Sequence, residues 1–204
     1  MVRRHFDHRQ DMMSMEQASN LQLLLSGTLG NQVPGALVEL GCYTGSTSLV
    51  LARVLQETGD ARPFHVYDSF AHELGTEKGI RTVFEANFRK YGLPLPVIHQ
   101  GDLRATVPAE LPADIAFAHI DLGVGGGTDI HTSIITHALA TVYPRLSRNG
   151  VVVLMDYHVP GITVEGNDSN PGVRLACEAF LAGKPEQMST LYGGACSHGY
   201  FRKD

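Results

Sequence analysis

Apolar residues in this chain come in two patterns. Short, largely apolar runs occupy residues 36–40, 64–67, 96–99, 114–120 and 151–154. Runs of this length, continuous rather than alternating, predict strands covered on both faces. Between them the apolar spacing turns helical. Residues 12–25 carry Met12, Met15, Leu21, Leu24 and Leu25 as a stripe, predicting a leading helix that ends before Gly27. Further helices are predicted over 48–57, 81–91, 130–146 and 171–181, with Pro171 in the first turn of the last. Residues 188–192 and 198–201 predict a closing antiparallel pair around Gly193-Gly194. Strands alternating with helices imply an α/β fold with a mainly parallel sheet. The N-terminal helical segment, 1–30, reads as a lid or partner contact ahead of one domain, 31–204.

The first strand leads into Glu39-Leu40-Gly41-Cys42-Tyr43-Thr44-Gly45-Ser46-Thr47, a strand, a tight glycine turn and a helix start. Gly41 and Gly45 allow positive φ and close backbone approach to a ligand. Ser46 or Thr47 is expected to cap the helix. The spacing is G-x-x-x-G, so the pyrophosphate fingerprint G-x-G-x-x-G is missing. Glu39 would repel a phosphate but suits an ammonium or hydroxyl. Both features point from NAD toward S-adenosylmethionine (SAM), which carries an amino-acid group and no phosphate.

Bulk properties narrow the classes. The chain has 204 residues, 43% hydrophobic and 18% charged, enough for one full core. A net charge of -5 argues against a nucleic-acid surface. The three cysteines, Cys42, Cys177 and Cys196, lack zinc spacing and fit a reducing cytoplasm. Residues 1–10 are polar and show no signal-peptide pattern, and the longest apolar run is too short to span a membrane. A cytoplasmic enzyme acting on a small molecule, with no nucleic-acid or membrane partner, is expected. Met12, Met13 and Met15 leave a homo-oligomer contact open.

Candidate chemistry sits where strands end. Glu39, Asp68, Asp121 and Asp156 each close a predicted strand, at the edge where open α/β sheets bind ligands. Asp68, beside Ser69, suits ribose hydroxyls, and Gly101-Asp102 suits an adenine amino group. Asp121 and Asp156 end adjacent strands and could share a Mg²⁺. His158, two residues on, is the leading candidate base or a third ligand. His72 and His131 are rivals; His65 and His119 read as packed inside strands; His5 and His8 as solvated. His99 ends the third strand, and His137 and His198 stay open. Cys42 is placed in the turn for its small size rather than as a nucleophile. Neither G-x-S-x-G nor G-x-x-x-x-G-K-[ST] occurs, so a hydrolase elbow and a Walker-A NTPase have no support.

Taken together, 38–46, Tyr67-Asp68-Ser69-Phe70, Ala118-His119-Ile120-Asp121, 143–147 with Asn149-Gly150, Met155-Asp156-Tyr157 and 199–203 resemble the class I SAM-dependent methyltransferases. More narrowly they resemble the macrocin O-methyltransferase (TylF/MycF-like) family. The resemblance implies a Rossmann-like sheet of seven strands, mostly parallel with a reversed last strand and helices on both faces. It implies SAM held at Glu39, Gly41, Tyr43, Gly45 and Ser46, with Asp68 on the ribose; Cys42, Ser69, Gly101, Asp102 and Asp121 complete the expected cofactor set. It also implies O-methylation of sugar hydroxyls, with Mg²⁺ on Asp121 and Asp156; the residues themselves place catalysis on His158 and Asp121. This chain departs from the family in two places. Met155 stands where the first of two paired aspartates is usual, and 123–128 is an insertion near which Asp129 or His131 could supply a ligand. A SAM-binding protein without catalysis and a NAD-dependent oxidoreductase are the alternatives.

Overall fold

The largely apolar runs become neighbouring strands. The computed structural model describes residues 13–71, 79–123, 127–161, 170–193 and 197–204. Its elements are α1 (Met15–Gly30), β1 (Ala36–Leu40), α2 (Ser46–Thr58), β2 (Phe64–Asp68), α3 (Ile80–Tyr91), β3 (Val97–Gln100) and α4 (Leu103–Glu110). There follow β4 (Ile115–Ile120), α5 (Thr128–Val142), a 3-10 turn (Tyr143–Arg145), β5 (Leu146–Met155), α6 (Gly172–Leu181), β6 (Ser189–Leu191) and β7 (His198–Arg202). Seven strands form one sheet in the order β3-β2-β1-β4-β5-β7-β6. β1 to β5 run parallel, and β7 is antiparallel to both of its neighbours. The fold is the Rossmann-like class I methyltransferase arrangement.

β1 and β4 are buried at every position. One face packs Leu37, Phe117, Val151 and Val153 against α1, α2 and α3. The other packs Val38, Leu40, Ala118, Ile120, Val152 and Leu154 against α4, α5 and α6. Burying a leucine or phenylalanine side chain stabilises by ~1.5–3 kcal/mol. A one-residue slip of β1 would turn Glu39 into the opposite core, so the register is fixed.

Some boundaries differ from the sequence reading, each for a local reason. α1 runs through Gly27 to Gly30, because Ser14 and Gln17 close a capping box at its start and Thr28 and Leu29 are buried near its end. α2 is capped by Gly45, with no side-chain cap, so Ser46 and Thr47 lie inside the helix. α4 was not anticipated; Asp102 starts it by accepting from the Arg104 N–H, and Pro108 lies within it. α5 ends at Val142, before a 3-10 turn containing Pro144, which has no N–H to continue an α-helix. β5 begins at Leu146, earlier than the apolar run at 151. Among the described residues no helix is long and apolar enough to cross a membrane.

Candidate functional site

The strand order reverses between β1 and β4, and the crevice at the carboxyl end of that switch is where doubly wound sheets take ligands. The glycine turn forms its floor. Gly41 has φ +80, and a Cβ there would lie 1.8 Å from the Asp121 carbonyl oxygen. Its N–H donates to the Tyr67 carbonyl at 2.8 Å, and the Asp121 N–H donates to that of Leu40 at 2.9 Å. β1, β2 and β4 are thus sewn together at one point. Gly45 has φ +91, and a Cβ there would meet Phe84 at 2.8 Å. Tyr43, Phe70 and Asp156 hold left-handed backbone without being glycine, and all three lie on loops at this edge. Such conformations concentrate at binding sites.

The first two acids are already committed to partners. Glu39 is fully buried; one carboxylate oxygen accepts from the Ser48 hydroxyl, and the other meets His119 Nδ1 at 3.1 Å. Asp68 is half-buried. Its Oδ2 accepts from the N–H groups of Cys42 (2.8 Å) and Tyr43 (2.9 Å), and its Oδ1 from that of Phe70 (2.7 Å). Asp68 therefore ties the β1 turn to the β2 turn. A carboxylate offers about four acceptor sites, which leaves one for a ligand hydroxyl.

The other two acids lie across the switch on β4 and β5 and interact through their charges. Ile120 pairs with Leu154, so Asp121 and Asp156 leave neighbouring strands one residue out of step. Burial, and then the charge of Asp156, raise the Asp121 carboxyl to about 7, while His119 pulls it down. Asp156 accepts from the Asn170 amide at 2.6 Å. The expected Mg²⁺ site is not supported. Among the described residues no three His, Cys, Asp or Glu side chains gather as a metal shell. Met155 is buried in the place of the missing acid, and Asp129 is exposed on α5.

The remaining expected residues divide. Ser46 and Tyr43 are half-buried beside the turn, and Ser69 accepts from the Ala71 N–H at 3.2 Å. Asp102 is exposed and caps α4, while Gly101 donates to the Asp68 carbonyl at 3.0 Å. His158 is half-buried just beyond β5. Burial, Glu39 and Asp68 push the Cys42 thiol well above its ordinary range, so it stays protonated. His65 and His99 share a bond of 3.0 Å away from the turn, and His99 also bonds Glu110. His131 is buried on α5. His5, His8, Met12, His72, Cys196 and most of the 123–127 loop lie outside the described residues. The sequence reading treated His119 as packed but missed its partner. Glu39 and His119 are paired neighbours on two otherwise apolar central strands, which is the signal that they meet.

Residues 38–157 match a family model described as a methyltransferase domain. The 8-demethyl-8-(2,3-dimethoxy-alpha-L-rhamnosyl)-tetracenomycin-C 4'-O-methyltransferase of Streptomyces olivaceus is 31% identical over 170 residues, covering 72% of this chain and 62% of that protein. The mycinamicin III 3''-O-methyltransferase of Micromonospora griseorubida is 28% identical over 174 residues, covering 73% and 65%. This chain thus spans somewhat under two thirds of both relatives. The solved O-methyltransferase NovP superposes with a TM-score of 0.74 at 19% identity, over 93% of this chain and 80% of that one.

Proposed function

Since this chain belongs to the methyltransferase-domain family matched over residues 38–157, we propose that it transfers a methyl group from SAM to a hydroxyl oxygen of a small molecule. The observation that carries this reading is the clamped turn at the switch point. Its floor is backbone, its nearest acids are Glu39 and Asp68, and it has neither the glycine spacing nor the charge for a pyrophosphate. The names of both relatives specify O-methylation, one of them of a rhamnosyl-bearing compound, so we assign a sugar hydroxyl as the acceptor.

Transfer removes the positive charge of the sulfonium, so the protein's main task is alignment of donor and acceptor. Positioning of that kind supplies up to ~7–11 kcal/mol of a barrier. Asp68 keeps one acceptor site for a ribose hydroxyl, and the turn from Gly41 to Ser46 receives the amino-acid end. The acceptor hydroxyl must also lose a proton. We assign this to Asp121, whose carboxyl titrates near neutral pH, with His158 as the rival on the same edge.

Calorimetric titration with S-adenosylhomocysteine and with NAD tests the cofactor. We expect binding of the first alone; binding of NAD alone would overturn the reading. Turnover on rhamnosylated acceptors then separates an enzyme from a protein that only binds SAM. His158→Ala should leave cofactor affinity unchanged, and a complete loss of turnover in that variant would move the base from Asp121 to His158.

A further inference from the structure

Away from the crevice, at the opposite edge of the sheet, lies a second polar recess. β6 runs parallel to β5, because each is antiparallel to β7. Glu186 before β6 and Asp204 after β7 therefore lie at the amino end of the parallel strands. A groove of about 350 Å³ opens there beside β6, the edge strand. Its lining includes Glu186, Gln187, Ser189, Tyr200, Arg202 and Asp204. That volume suits a small molecule.

Glu186 is only 7% exposed, and carboxylates are seldom buried unless paired. Its Oε1 accepts from the Tyr143 hydroxyl at 2.8 Å and from the Asp204 N–H at 3.4 Å. Its Oε2 is buried and has no partner. The neighbouring cations are engaged elsewhere. Lys203 Nζ donates to the Tyr143 and Leu146 carbonyls at 2.9 and 2.8 Å, and Lys184 Nζ to the Phe180 carbonyl at 2.7 Å. Both stand over the Tyr143 ring, at 4.8 and 5.6 Å from its centroid. Arg202 Nη1 donates to the Asn149 carbonyl at 2.8 Å. Among the described residues none forms an ion pair with Glu186. Burial opposes the charge of Glu186, but the bonds from Tyr143 and the backbone and the charge of Lys203 outweigh it and hold the carboxyl below its ordinary range. Burial and Glu186 in turn push the Tyr143 hydroxyl up, so it stays a donor.

We propose that this groove binds a small organic ammonium, whose N–H groups bond Oε2 of Glu186. A carboxylate accepts at about four places, and here two neutral donors share one oxygen. A donor that also carries positive charge makes the stronger bond to the other oxygen. The rest of the lining agrees. Its charged side chains are two acids against one guanidinium, which disfavours an anion. Ser189 and Gln187 add side-chain oxygens that can accept further N–H groups. No three His, Cys, Asp or Glu side chains gather among the described residues, so an amine with its own donors fits better than a metal ion. The groove and the crevice lie at opposite edges, so this inference does not rest on the function proposed above.

Proton–nitrogen correlation NMR of the whole chain, titrated with butylammonium chloride, tests the site. Tetramethylammonium chloride is the comparison, since it carries the same charge and no N–H. We expect saturable shifts at Gln187, Ser189 and their neighbours, with tetramethylammonium binding weaker by about tenfold or more. Glu186→Gln keeps an acceptor for the Tyr143 hydroxyl and removes the charge, so saturation should be lost while the rest of the spectrum holds. Equal binding of the two cations, shifts scattered over the whole surface, or saturation that survives Glu186→Gln overturns the proposal. So does a lack of saturation in the wild-type protein, the result expected if Oε2 bonds only water. If Glu186→Gln does not fold, the comparison of the two cations on the wild-type chain decides.

Discussion

Four acids close four strands at one edge of the sheet, and the two on its β1–β2 side behave unlike the two on its β4–β5 side. Glu39 and Asp68 are consumed. Between them they hold the Ser48 hydroxyl, the His119 ring and three backbone N–H groups. Asp121 and Asp156 repel each other, and burial first, then the Asp156 charge, raise the Asp121 carboxyl to about 7. One side of the crevice is rigid and electrostatically settled. The other stores a proton whose affinity suits chemistry at neutral pH. Acids that look alike in sequence thus divide into a pair bonded into the scaffold and a pair of mutually repelling charges.

The rigid side should be the more costly to disturb. Gly41→Ala has the largest expected effect. Its Cβ would overlap the Asp121 carbonyl at 1.8 Å, and that atom is backbone with no rotamer to yield. We expect a loss above about 3 kcal/mol or no folded protein, read by urea unfolding. Asp68→Ala comes next. It strips three N–H groups of their acceptor, so a loss on the order of 3 kcal/mol is expected. Binding of S-adenosylhomocysteine should fall below detection in a calorimeter. Retained affinity in a destabilised Asp68→Ala protein would mean that Asp68 is scaffold alone.

How much of this was legible follows the same division. The glycine turn, the strand-end acids and the parallel sheet were readable because each rests on a local pattern: positive-φ glycines, largely apolar runs, polar breaks. α4 was not, because a short helix with an internal Pro108 has little periodicity to detect. Nor was the destination of Glu39. It reads as a ligand contact from its place before the turn, but its side chain is buried toward His119, a residue 80 positions away. Asp102 shows the same limit: a Gly-Asp loop suits an adenine contact, and in the fold its carboxylate caps α4. What a strand-end acid touches depends on its sheet neighbour, and strand order is not written within any one strand.

The reactive side yields smaller, pH-dependent effects. The Asp121 carboxyl is raised in the folded protein above its unfolded value near 3.8. Its contribution to stability is therefore fully present below that value and lost as pH rises through about 7. Asp121→Asn mimics the protonated form. The variant should match wild type near pH 4 and melt at a higher temperature above pH 7, with turnover reduced throughout. Thermal melts across that range check the sign. A variant that is less stable at high pH would show that Asp121 is paired with a cation there.

The smallest effect, and the sharpest on the comparison, is expected for Asp156→Asn. An asparagine can still accept from the Asn170 amide and tolerates the left-handed φ of 57 that residue 156 adopts. The fold and its melting temperature near pH 5 should therefore hold. What changes is the charge facing Asp121. Without it the Asp121 carboxyl falls toward the ordinary range, although burial, the larger cause, still holds it up in part. The loss of stability between pH 5 and 8 should then be shallower than in wild type. Carbon NMR of the Asp121 carboxyl reads the same shift directly. A midpoint that stays near 7 would assign the whole rise to burial, and the β4–β5 acids would then be two separate groups rather than a pair.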